Sequence, residues 1–184
     1  MARRLMPSVM STKIIAAIII AATLSITGVA FSVEPQVTIT PKWSDLKPET
    51  KECGGFSEDV LILTIKINQE EIKNEFCSSY GKADANIIKD ARGFNFLILK
   101  TAHGRGTHVT TQYLTVHRIE KYLEELARFP VFEPLGRLSG VYYDYKIEKP
   151  EEGGLLFLIA VRIEGTAEDA EWFPKEKKRT ISIK

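Results

Sequence analysis

Residues 138–148 read LSGVYYDYKIE. From Val141 onward apolar and polar side chains alternate. Val141, Tyr143, Tyr145 and Ile147 share one face, and Tyr142, Asp144, Lys146 and Glu148 share the other. A period of two is the pattern of a strand with one dry and one wet face. Other stretches carry the same signature. Residues 60–67, VLILTIKI, put Leu61, Leu63, Ile65 and Ile67 on one side. Residues 94–100, FNFLILK, form another strand, and residues 107–118, rich in Thr, Val and Tyr, suit its partner. Between them His103-Gly104-Arg105-Gly106 supplies a turn, because glycines reach the positive φ values of a tight hairpin.

Residues 155–163, LLFLIAVRI, are almost continuously apolar, which predicts a strand buried on both faces. Residues 179–183 predict a short last edge strand. The expected fold is mainly β, an antiparallel sheet or sandwich-like domain with one or two short helices, so an α+β arrangement is also admitted. The first helix is expected over 69–80. Asn68 stands as its N-cap, Glu71 in the capping-box position, and Gly81 as its stop. Ile72, Phe76 and Tyr80 would form its apolar stripe. Residues 119–129 fit an amphipathic helix and a hairpin turning at Glu120-Lys121 equally well, with Pro130 ending the element in both cases.

The amino end differs from the rest. Arg3, Arg4 and Lys13 are unaccompanied by any acid up to Val33. The run IIAAIIIAATLSI (14–26) follows, and then small residues at the spacing a signal peptidase needs. This predicts a signal peptide over 1–30, with cleavage after Ala30 or Ser32. The alternative is an uncleaved anchor over residues 14–33. Both readings place the domain outside the cytoplasm, periplasmic or secreted, and only the second attaches it to a membrane. Residues 31–57, punctuated by Pro35, Pro41, Pro48 and Gly54-Gly55, are expected to be irregular, and 58–184 to form a single β-rich domain.

Export gives the two cysteines a meaning. In an oxidising compartment Cys53 and Cys77 are expected to pair. They lack the C-x-x-C spacing of a redox motif and have too few companions for a zinc site.

Composition closes several functions. Apolar residues are 44% and charged residues 27% of the 184, an ordinary globular balance. The formal charge is +1 and falls to −2 without the three leader cations, so nothing suggests a nucleic-acid partner. No phosphate-binding loop, H-E-x-x-H or G-x-S-x-G occurs. The neighbouring pairs Glu70-Glu71, Glu124-Glu125 and Glu151-Glu152 read as solvated surface. Between Asp90 and Phe132 a strand, a Gly-rich turn and a second strand resemble one blade of a β-propeller. The pattern has no second copy, and repeat folds need several.

All three histidines lie within 103–117. His103, Arg105 and His108 would cluster at the hairpin tip, a candidate recognition tip. No catalytic residue, cofactor or metal ligand is assigned. The expected function is a small non-enzymatic binding or structural module of the cell envelope or periplasm, acting on a protein partner through a β-edge or the tip at 103–106. Two alternatives are a small metal-dependent hydrolase using the His103/His108 turn and an inhibitor of an extracellular enzyme.

Overall fold

The computed structural model describes residues 34–42, 53, 58–67, 69–104, 110–135, 139–165 and 174–184. The expected leader, 1–30, and the alternative span, 14–33, lie outside them. No helix among the described residues is long and apolar enough to cross a membrane.

Ten strands and no helix are present among the described residues. Strands β1 (Gln36–Pro41), β2 (Glu58–Ile67) and β3 (Glu70–Ser79) make a three-stranded antiparallel sheet. A seven-stranded antiparallel sheet holds β4 (Ala83–Lys89), β5 (Asn95–His103), β6 (Thr111–Ile119), β7 (Leu123–Pro134), β8 (Gly140–Glu148), β9 (Leu155–Glu164) and β10 (Lys178–Ile183), in that order. In both sheets every strand lies beside its neighbour in sequence.

Two cores hold the sheets together, and β5 belongs to both. Phe96 and Ile98 face a core built with Leu114 and Val116 of β6, Phe129 of β7 and Phe157 of β9. Leu97 and Leu99 face the opposite way, onto Leu63 and Ile65 of β2, with Ile39, Ile72 and Phe76 at the margin. Each fully buried side chain of this size stabilises the fold by roughly 1.5–3 kcal/mol. The seven-stranded sheet therefore folds over its own first core, and the three-stranded sheet covers its back. This is the sandwich-like β domain the alternation predicts, with one layer added.

The fold-over happens at β7. Its first part pairs with β6, with register shifts between Gln112 and Tyr113 and between Val116 and His117. Such irregularities bend a strand and raise its twist. Only three residue pairs, Phe132 with Tyr142, Glu133 with Val141 and Pro134 with Gly140, join it to β8. Pro130 does not end the element as expected. It lies opposite Tyr113, next to a register shift, where the missing N–H costs the ladder least.

Three expectations are revised by the pairing, and one open alternative is settled. Residues 69–80 are not a helix, because β3 is a strand paired with β2 from Glu70 to Ser79. Ile72 and Phe76 share a face at a separation of four in a strand as well as in a helix, and burial against β5 decides between them. Tyr80 (φ 56°) and Gly81 (φ 62°) are both left-handed, and the Lys82 N–H donates to Ser79 O at 3.1 Å. The glycine thus serves a tight turn of the hairpin type rather than a helix end.

Residues 119–129 are a hairpin, with Ile119 opposite Leu123. Residues 36–41, inside the stretch expected to be irregular, form β1 along β2. Finally, β9 is not buried on both faces. Leu155, Phe157 and Ile159 are buried, while Leu158 is 37% exposed and Ala160 faces water. The strand sealed on both sides is β5.

Two ties close the layers. The buried Asp90 carboxylate accepts the N–H groups of Arg92 (3.0 Å), Phe94 (2.8 Å) and Gly154 (2.7 Å). It links the β4–β5 turn to the start of β9. Gly154 must be glycine, since φ is +81° and an added Cβ would lie 2.1 Å from the Ile183 carbonyl. Cys53 and Cys77 are joined in a disulfide with Cα atoms 5.6 Å apart, as expected. The bridge staples the segment before β2 to β3 rather than to a helix.

Candidate functional site

β3 is hydrogen-bonded to β2 on one side, and no described strand pairs with its other edge. The three-stranded sheet rests on β4 and β5, with β1 over β4 and β3 over β5. Beyond β3 no described strand pairs across the outward face of β6, on which Thr115, His117 and Ile119 are nevertheless buried.

Two cavities of about 230 Å3 each follow the β3 edge one after the other. The first is walled by Ile65, Ile67, Ile72 and Ile119, with Glu70 and Glu120 at its rim. The second opens between Asn74 and Phe76 on one side and Thr115, His117 and Arg128 on the other.

His117 stands on β6 opposite Leu97 and Glu125 in the register. It is 8% exposed, and its Nδ1 has no hydrogen-bond partner. A buried imidazole nitrogen without a partner carries a desolvation cost that a bound donor or acceptor would relieve. Burial pushes its pKa below the ordinary value; Glu125 opposes that push and Arg128 adds to it. The ring is accordingly neutral near pH 7, with one nitrogen available to a ligand.

The carboxylates around these cavities divide into two groups. Glu75 is paired with Lys42 at 2.9 Å, and Glu71 with Lys73 at 2.7 Å. Glu70, Glu120 and Glu125 form no ion pair among the described residues.

The expected recognition tip is only partly visible. Arg105 and His108 lie outside the described residues. His103, at the end of β5, is held along the sheet. Its Nδ1 is 3.2 Å from Glu58 Oε1 and its Nε2 is 2.9 Å from Thr101 Oγ1. Its ring packs 5.8 Å from Tyr113, over which the Arg128 guanidinium sits at 5.1 Å. His103 thus forms the far wall of the second cavity.

Cys53, Glu58 and Cys77 bring donor atoms within 4.8 Å of one another. The two sulfurs are bonded together, so neither is a thiolate and the group is no metal site as it stands. The tyrosines of 138–148 divide by face. Tyr143 donates to Glu133 Oε2 at 2.5 Å, and burial, followed by this bond, raises its pKa well above the ordinary value. Tyr142 lies between Phe132 (4.9 Å) and the Arg162 guanidinium (4.2 Å) on the outer face.

Sequence reasoning missed the cleft because it read β3 as a helix. The run Glu70-Glu71-Ile72-Lys73-Asn74-Glu75 carried the usable signal. Dense charge with isolated apolar residues is also how natural edge strands are protected from unwanted pairing. No known protein family, no curated protein and no solved structure matches the chain.

Proposed function

We propose that the chain is a small exported binding module that takes hold of a protein partner by strand addition along β3. The observation that supports this reading is the unpaired β3 edge, running beside two cavities, the second of which is lined by the unpartnered His117. An extended segment laid there would gain backbone hydrogen bonds from β3 and place alternate side chains in the cavities. The Cys53–Cys77 disulfide is compatible with an oxidising, extracellular compartment. The basic and apolar residues 1–30 would carry the domain there.

A photo-reactive residue at position 74 of the full chain tests the reading in the native envelope. Asn74 is exposed at the cleft, whereas Lys146, on the outer face of β8, is a control position. The expected result is one discrete crosslinked partner from position 74 and none from position 146. Equal labelling from both positions, or none from 74, refutes strand addition at β3.

A further inference from the structure

Resting on the reading of β3 as a docking edge, we infer that the segment it accepts is a cationic extended peptide. Its inward positions alternate a branched apolar side chain over Ile72 and Ile119 with Lys or Arg facing Glu70 and Glu120 at one end and Glu125 at the other.

Three observations carry this. First, the apolar part of the cleft is small and bounded. Four isoleucines wall a cavity of about 230 Å3, room for one aliphatic side chain rather than an aromatic cluster. Second, the uncompensated charge around the cleft is negative. Glu70, Glu120 and Glu125 have no ion-pair partner among the described residues, and Arg128 with its guanidinium over Tyr113 is the cation between them and His103. A lysine or arginine brought to these carboxylates would meet charge with charge at positions fixed by the strand repeat. Side chains on one face of a strand recur about every 6.8 Å, so some seven residues span Glu70 to Phe76. Third, the buried Nδ1 of His117 lies in the second cavity, beside Glu125, and lacks a partner. A polar side chain of the peptide, entering the second cavity, would supply it.

The same charges argue against a second copy of this chain as the occupant. Two β3 edges paired together would bring Glu70, Glu71 and Glu75 of both chains onto one ribbon. Like charges set across from each other destabilise a strand pair. An edge with unpaired carboxylates therefore disfavours acidic strands and favours a basic one, so one feature provides both protection and specificity.

The test uses the full, disulfide-bonded protein and three synthetic nine-residue peptides. One alternates lysine with valine and threonine, the second replaces each lysine by glutamate, and the third carries proline at its central positions. Hydrogen exchange of the β3 amides and the His117 ring signals report binding.

The inference expects the lysine peptide to protect amides from Glu71 to Glu75 and to shift the His117 ring. The glutamate peptide should bind at least about tenfold more weakly at low salt, with the difference shrinking as salt rises. The proline peptide should not protect β3. A Glu70→Gln/Glu120→Gln/Glu125→Gln variant should fold with an unchanged amide spectrum and bind the lysine peptide about tenfold more weakly.

Equal binding of the lysine and glutamate peptides overturns the cationic preference while leaving strand addition standing. Failure of every peptide to protect β3 overturns both. Protection, before any peptide is added, of the β3 amides that point away from β2 means that the edge is already taken. Sedimentation then assigns it to a second copy or to the chain itself, and either result overturns the inference.

Discussion

Replacing Asp90 by alanine should unfold the molecule far more readily than its place in a turn suggests. The carboxylate is 6% exposed and accepts three backbone N–H groups, two from its own turn and one from Gly154. Arg92 and Phe94 are exposed, so their amides regain water in the alanine variant and cost about 0.5–1 kcal/mol each. Gly154 is buried, and its orphaned N–H costs about 1–3 kcal/mol. The total is about 2–5 kcal/mol, or on the order of 10 °C in Tm for a chain of this size.

Asp90→Asn separates the two contributions. One oxygen can still serve the turn, but the amide nitrogen would meet the Gly154 N–H, donor against donor. The expected loss is about 2 kcal/mol. Burial raises the Asp90 pKa, yet the amides of Gly154, Phe94, Arg92 and Gly93 outweigh it and hold the carboxyl below its ordinary 3.8. The folded state therefore releases this proton more readily than the unfolded chain. Its contribution is present above about pH 3.8 and is lost as pH falls through the lower folded value. Urea titrations from pH 7 to pH 2.5 would show a steeper acid limb in the native chain than in Asp90→Ala. A loss below about 1 kcal/mol for alanine, or an asparagine variant as damaged as the alanine one, would refute the reasoning.

Removing both cysteines, Cys53→Ala with Cys77→Ala, should cost about 3 kcal/mol, because the loop they close spans a separation of 24 residues; reductant should lower the native Tm and leave the variant unchanged. Phe96→Ala, in a fully buried site, should cost about 3–5 kcal/mol by chemical denaturation, whereas Leu158→Ser on the wet face of β9 should stay within about 0.5 kcal/mol. Burial, opposed by Glu125 and assisted by Arg128, holds His117 below its ordinary 6.5, so the unfolded chain takes up the proton first. Stability should therefore fall as pH drops below about 6.5, and His117→Leu should flatten that slope in thermal melts.

Alternation of apolar and polar residues placed β2 and β8 within a residue or two, because one face of each strand is dry and the sequence repeats that fact at every second position, and the short β10 and most of β5 were placed as well. The disulfide was legible for a different reason, namely that two cysteines in a chain read as exported have one way to pair. What failed was context. Ile72 and Phe76 satisfy helical and extended spacing alike, and only the presence of β2 alongside and β5 beneath selects the strand. The apolar run of β9 looked doubly buried, yet Leu158 faces water, because no further layer covers that side. β5, with fewer obvious signs, is the strand enclosed by two cores. The cleft along β3 was illegible for the same reason. An unpaired edge is a property of neighbours, and His117 gained significance only once Glu125 and Arg128 stood beside it.

The order of the strands bears on how the chain reaches this state. Every strand hydrogen-bonds only to those just before and after it, so most pairing steps close a short loop, the β1–β2 and β9–β10 connections being the long ones. A chain emerging amino end first can complete the β1–β2–β3 ribbon, and with it the Cys53–Cys77 bond, before β4 has appeared. The remaining strands then add one at a time onto a ribbon that is already crosslinked. The contacts that span the most chain, Gly154 with Asp90 across 64 residues and Arg118 with Lys184 across 66, need the carboxyl-terminal strands in place. A damaged carboxyl-terminal half would on this account leave the disulfide-stapled ribbon assembled and β5 bare, with Phe96 and Ile98 open to proteolysis.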